Sequence, residues 1–245
     1  MILLRSSLFF LFLIITTILI AGIGSLIGWA IPRPKMHIFD TAWSRLNLWA
    51  LDKICNLNYR IKGLDNIPDE SYIILAKHQS AWETIALVSL IPGAKAWVLK
   101  RELLFVPFFG WVMWYFEPIA IDRKSGRKAV DQIIEQGTEK LENGINIIVF
   151  PEGTRVEPGV RKRYGIGGAL LAEKSAHPVV PVAHNAGVFW RRRDLRKYPG
   201  TIDVVIGPAI DTNGMSASEI NAKAERWIED TVEALPQDKE SKSNE

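Results

Sequence analysis

Hydrophobic positions change their spacing twice along the chain, and each change marks a different kind of element. From Ser6 to Ile31 no charged residue interrupts the run; at ~1.5 Å per residue it would extend about 39 Å as a helix, more than the ~30 Å core of a bilayer requires. This predicts a membrane helix. A cleaved signal peptide would carry a shorter apolar region, about 7 to 15 residues. Pro32 and Pro34 end the run, after which Phe39, Ala42, Trp43, Leu46, Trp49, Ala50 and Ile54 recur at three and four. That spacing predicts an amphipathic helix over Met36 to Cys55, with one stripe for a protein core or a membrane interface. Beyond it come short apolar runs of strand length: Tyr72 to Ala76, Ala96 to Leu99, Ile119 to Ile121, Ile145 to Phe150, Val179 to Ala183 and Ile202 to Ile206. Helical patterns separate several of them, at Ser125 to Asn143 and Gly167 to Ser175, and the alternation predicts an α/β fold with a mixed, largely parallel sheet flanked by helices. Ser216 with Glu219 forms a capping-box pair that opens a last helix, to about Leu235. The expected organisation is a transmembrane anchor over 1–35, an amphipathic helix over 36–60, a single α/β domain over 61–235 and a polar, disordered tail over 236–245.

Composition removes several function classes. With one cysteine, Cys55, among 245 residues the chain has no internal disulfide framework and no cysteine-based zinc site. No ligand spacing for a metal joins His37, His78, His177 and His184. A net charge of +3 without a helix-turn-helix, finger or RNA-binding signature gives no reason to expect nucleic acid, though it suits an anionic membrane surface. Arg33, Lys35, Arg45 and Lys53 follow the apolar run, against Arg5 and the amino terminus before it, so the positive-inside rule places everything after it in the cytoplasm, on the cytoplasmic (inner) membrane.

The candidate chemistry lies where apolar runs end. Lys77-His78-Gln79-Ser80-Ala81-Trp82-Glu83 follows the run to Ala76 and precedes Ile85 to Val88, a strand-to-helix turn with a capping-box signature at Ser80 and Glu83. On one helix a spacing of five would turn two side chains roughly 140° apart. With His78 in the turn and Glu83 in the first helical turn, the carboxylate can reach back to the ring. One imidazole nitrogen is then a fixed donor and the other is free to take a proton from a hydroxyl. The same residues also read as a helix cap beside a surface histidine. Phe150-Pro151-Glu152-Gly153-Thr154-Arg155 ends a second run in the same way. No Gly-x-Ser-x-Gly elbow occurs in the chain, which argues against a serine hydrolase.

Together these stretches resemble the glycerolipid acyltransferase family, whose members carry a histidine, four residues and an acidic residue, followed later by a Phe-Pro-Glu-Gly-Thr-Arg block. Lys100-Arg101-Glu102-Leu103 with Pro107 to Trp111, then Ile119 to Arg123, are similar to its intermediate blocks, and Val179 to Ala183 to its fourth. The closest resemblance is to the 1-acyl-sn-glycerol-3-phosphate acyltransferases. Lys77 stands where that family often has Asn, and Glu83 where it more often has Asp.

The resemblance implies transfer of a fatty acyl group from acyl-CoA or acyl carrier protein to the sn-2 hydroxyl of lysophosphatidic acid, giving phosphatidic acid, with no cofactor. His78 is then the base and Glu83 its partner. Arg123 and Arg155, with Lys100 behind them, are candidates for the acceptor's phosphate, since arginine forks match phosphate oxygens. Glu152, Gly153 and Thr154 are the candidate acceptor-binding residues. Other acceptors, such as glycerol 3-phosphate or a lyso-amino-lipid, remain open, as does a membrane-tethered lipid-binding protein without turnover. The aromatic stretch from Phe105 to Phe116 reads as core or as an acyl-chain groove, and Arg191-Arg192-Arg193 as a solvated face or a grip on lipid headgroups or an acidic carrier protein.

Overall fold

The structure is a computed structural model; it describes residues 1–27, 37–106, 110 and 118–237, without the side chains of Ala21, Ser25, Ile27 and Arg123. In chain order the elements are α1 (Ile2–Ile27), α2 (His37–Cys55), β1 (Leu57–Lys62), β2 (Ile73–Ala76), α3 (Trp82–Leu90), β3 (Lys95–Lys100), β4 (Ile119–Ile121), α4 (Arg127–Glu142), β5 (Asn146–Val149), α5 (Gly167–Ser175), β6 (Val179–His184), α6 (Ala186–Phe189), β7 (Gly200–Ile206) and α7 (Ala217–Ala234). Single 3₁₀ turns precede β2 and follow β3 and β4.

The strands form one mixed sheet in the order β1-β7-β6-β2-β5-β3-β4. Every described pairing is parallel except that of β6 with β7. Strand β2 is fully buried, which explains why its sequence is continuously apolar rather than alternating. Its side chains still divide by face: Ile73 and Leu75 pack with α4, α5 and α7, while Ile74 and Ala76 pack with α2 and α3. Helices thus cover both faces of the sheet. Close packing on the first face uses Gly168 of α5, where a Cβ would lie 2.7 Å from Leu75 Cδ2.

Strand β1 was not expected, and its sequence explains why. Leu57-Asn58-Tyr59-Arg60-Ile61-Lys62 alternates weakly and half of it is exposed, because β1 is an edge strand paired only with β7. The sheet therefore begins ahead of the expected boundary at residue 61. The last helix has its full capping box: Ser216 Oγ accepts from Glu219 N–H, and the Glu219 carboxylate accepts from Ser216 N–H. Pro236 and Gln237 still bond to the body of the protein, Pro236 O accepting from Asn185 Nδ2; residues 238–245 lie outside the described residues.

Helix α1 is long and apolar enough to cross a membrane by length and composition. One side of it is nevertheless docked on the protein. Phe9 is fully buried edge-on against Trp190 at 5.8 Å, Ser6 Oγ accepts from Lys197 N–H, and Thr16 Oγ1 donates to Asn47 Oδ1 of α2. Its other side exposes Leu4, Leu8, Leu11, Ile15, Leu19 and Leu26. The face that α2 buries is not the expected stripe: Ser44, Asn47, Leu48, Ala50, Leu51 and Cys55 are buried, whereas Ala42, Leu46 and Trp49 of the stripe are exposed and only Ala50 of it is fully covered.

Candidate active site

Strands β6, β2 and β5 are parallel neighbours, so the chain leaves all three at the same edge of the sheet. The register aligns Ala76 with Val182 and Leu75 with Val149, which brings His78, Glu152 and His184 together although they are far apart in sequence.

His78 Nδ1 lies 2.8 Å from Glu83 Oε1. Helix α3 begins at Trp82, two residues later than the capping signature suggested, with no side-chain cap on Ala81. Only half of the expected box forms. Glu83 Oε1 accepts from Ser80 N–H at 2.7 Å and from Gln79 N–H at 2.9 Å, whereas Ser80 Oγ accepts from Trp82 N–H. The carboxylate makes its half of the box while also holding the Gln79 N–H and the imidazole; the missing half is that of the Ser80 hydroxyl, which takes the Trp82 N–H instead.

Glu83 is fully buried. Burial pushes its carboxyl up, but the His184 and His78 rings and the Ser80 N–H outweigh it and hold it below the usual carboxylate range. An ionised Glu83 fixes Nδ1 of His78 as the donor. The His78 side chain is 14% exposed, and among the described residues its Nε2 has no hydrogen-bond partner. Phe150 stacks flat on the ring, centroids 4.0 Å apart at 11°. The imidazole is thus clamped on one face and at one nitrogen, with the other nitrogen available to a ligand.

His184 lies behind the carboxylate. Ala186 N–H donates to its Nδ1, so the proton of the neutral ring is on Nε2, which donates to Lys77 O at 2.8 Å and lies 4.0 Å from Glu83 Oε2. Complete burial pushes its basicity down, against the pull of Glu83. Sequence reasoning gave His184 no role, having found no metal-ligand spacing that included it. Its place at the end of β6 was the one signal for its position beside the site.

The Phe150–Arg155 loop is tied to the same turn, Val156 N–H donating to His78 O at 2.8 Å. Gly153 sits at φ +68° with open space where a Cβ would be, so glycine is needed there for backbone conformation and not for room. Gly153 and Thr154 are partly exposed. Glu152 is not: its side chain has no exposure, and Oε1 accepts from His78 N–H and pairs with Lys77 Nζ, each at 3.3 Å. Its side chain therefore lies behind the His78 turn and not on the exposed face expected of an acceptor ligand. Burial, opposed chiefly by Lys77, pushes its carboxyl up to about 7.

Of the candidate phosphate ligands, Arg155 is half-buried, and its carbonyl accepts from Arg192 Nη1, which draws the basic run at 191–193 to the loop. Glu152, three residues before Arg155, pairs with Lys77. Lys100 ends β3 and pairs with Glu102 at 2.9 Å, both half-exposed. Arg123 follows β4 at the same edge of the sheet, but its side chain, like the aromatic residues from Phe108 to Phe116 other than Gly110, lies outside the described residues. No group of metal-ligating side chains occurs among the described residues.

The acyltransferase family model matches residues 58–185, more than half of the chain. The chain belongs to the acyltransferase family. The matched segment runs from β1 to the residue after His184 and holds His78, Glu83 and Glu152. Among relatives, the 1-acyl-sn-glycerol-3-phosphate acyltransferase of Pseudomonas aeruginosa is 40% identical over 232 residues, covering 93% of this chain and 90% of the relative. The human 1-acyl-sn-glycerol-3-phosphate acyltransferase alpha is 27% identical over 184 residues, covering 74% of this chain and 65% of that protein. The crystal structure of the 1-acyl-sn-glycerophosphate acyltransferase PlsC from Thermotoga maritima shares the fold, with a TM-score of 0.79 at 24% identity over 96% of this chain and 95% of that one.

Proposed function

We propose that this acyltransferase moves a fatty acyl group from an acyl thioester, acyl-CoA or acyl carrier protein, to the sn-2 hydroxyl of 1-acyl-sn-glycerol 3-phosphate, giving phosphatidic acid. The observation that carries the reading is the His78 Nδ1–Glu83 Oε1 bond with Nε2 left free. Nε2 takes the proton of the attacking hydroxyl as its oxygen adds to the thioester carbonyl; the tetrahedral intermediate then expels the thiolate, which takes the proton back from the imidazolium. Glu83 orients the ring and stabilises its charge while formed. No acyl group passes through the protein. Arg155, Arg123 and Lys100 bind the acceptor's phosphate, and Gly153 and Thr154 line its glycerol part, with Glu152 holding their loop from behind.

The anchor is α1, and the catalytic domain lies in the cytoplasm against the inner membrane. Because Ser6 and Phe9 are docked beside Lys197 and Trp190, that edge of the domain and the exposed side of α2 go with α1 to the membrane surface. Lipid acceptor then meets His78 without leaving the bilayer's neighbourhood. Membranes containing the protein, given a labelled acyl thioester and a panel of lysolipids, test the reading by product identification. Labelled phosphatidic acid supports it; product from another acceptor alone, or binding without transfer, defeats it.

A further inference from the structure

Directly before the catalytic histidine stands a buried lysine whose side chain turns away from the site. Lys77 Nζ lies 2.7 Å from Glu229 Oε1 and 3.3 Å from Glu152 Oε1, and the three side chains are 1%, 4% and 0% exposed. Tyr164 Oη donates to the same Glu229 oxygen at 2.9 Å. An ammonium taken wholly out of water is retained only where its partners are close and fixed, and a bare structural ion pair would serve as well anywhere in the core. This one is joined to the His78 N–H through Glu152, and the backbone of Lys77 itself is tied at both its carbonyl and its N–H. Glu152 Oε1, which Lys77 holds, accepts the His78 N–H; His184 Nε2–H is donated to the Lys77 carbonyl; and Lys77 N–H is donated to Val182 O. Glu229 is on α7, outside the segment that matches the family.

We infer that Lys77 is a positioning residue: clamped between Glu229 and Glu152, its ammonium fixes the carboxylate that holds the His78 backbone and so couples α7 to the catalytic base. Helix α7 touches no reacting atom in this account and acts through the lysine. The inference rests on His78 being the base, as proposed above.

The test is on the full-length protein in detergent or membranes. Glu229→Ala removes the anchor of the ammonium, and kcat is expected to fall about tenfold or more while KM for lysolipid and acyl donor stays within about threefold. Glu229→Gln keeps an oxygen for Lys77 and Tyr164 and is expected to retain most of kcat. Lys77→Met/Glu229→Leu exchanges two buried opposite charges for apolar groups of similar volume and leaves Glu152, whose carboxyl burial already pushes up, to stay neutral by holding a proton; such exchanges are often neutral for stability, and the variant is expected to unfold near the wild-type temperature yet keep the low kcat. If Glu229→Ala does not fold, the double replacement decides. A folded variant of either kind with wild-type kcat overturns the inference, as does a loss that Glu229→Gln shares in full or that tracks the unfolding temperature. His78→Ala, measured alongside, separates the two readings. Turnover surviving there removes the base itself, whereas an inactive His78→Ala beside a normal Glu229→Ala removes only the coupling.

Discussion

Each of the residues around His78 is held by more than one contact, and the contacts sort its roles. Glu83 Oε1 accepts from the imidazole and from two backbone N–H groups, so a substitution can separate charge from scaffolding. Glu83→Gln keeps a carbonyl oxygen for the Gln79 and Ser80 N–H groups but supplies no charge to an imidazolium. It is expected to fold normally and lose activity heavily; near-normal turnover would show a purely structural Glu83. His78→Ala should lose about 10² to 10⁴ in rate from the base alone, and adding Glu83→Ala should cost little more, because the carboxylate works through the ring. An acyl group trapped on a side chain would contradict direct transfer.

Glu152 gives a prediction in pH. Folded, its carboxyl holds a proton up to about 7, against 4.5 ordinarily. Between those values the folded protein binds more protons than the unfolded one, so this group makes stability fall as pH rises from about 4.5 to about 7, by something on the order of 3 kcal/mol. Denaturant midpoints measured across that window should slope downward for the wild type. Glu152→Gln should flatten the slope, and an unchanged slope would mean that the carboxyl is ionised throughout.

At the scale of elements, α1 is the one whose use is least evident from composition. Its apolar length reads as a detached anchor, yet Phe9 fills a site against Trp190, and Lys197 Nζ lies 4.5 Å from the Trp190 ring and 5.5 Å from that of Phe9. Deleting residues 1–27 should therefore lower the unfolding temperature even in detergent, where no bilayer is lost, because the socket for Phe9 is opened. Truncating a buried phenylalanine alone costs about 3–5 kcal/mol in general. A truncated protein with unchanged thermal stability in detergent would show α1 to be a free anchor. Helix α3 shows the opposite economy: Glu83 in its first turn holds the His78 ring and the turn before it, and Ala81 is left without a side-chain cap.

For the whole molecule, the sheet is what makes a site from separated loops. Arg123 follows β4 and Arg155 follows β5, and both strands point to the edge where β2 delivers His78. If both guanidinium groups bind the acceptor's phosphate, each change to Ala should weaken a phosphate-bearing acceptor by roughly 1.5 to 3 kcal/mol, since charge-assisted contacts are of that size. The acyl donor's KM should move little. Equal losses on a phosphate-free acceptor would remove both from that role.

The strand runs, the helices between them and the pair His78 and Glu83 were legible in the chain because they are local: burial on both faces makes β2 continuously apolar, and β5 and β6 apolar but for Asn146 and His184 at their ends, and a turn of five residues fixes the reach of a carboxylate to a ring. The capping box of α7 was legible for the same reason. Tertiary structure alone decided the rest. Nothing near β1 marks it as a strand, because its stability comes from β7 across the sheet. His184 and Glu229 come within hydrogen-bonding distance of Lys77 only through the order of strands and the packing of α7. Glu152 looked like a surface ligand from its motif, and only the fold turned its side chain inward to Lys77, since burial of a polar group depends on partners that the chain brings from 74 and 75 residues away as readily as from the next turn.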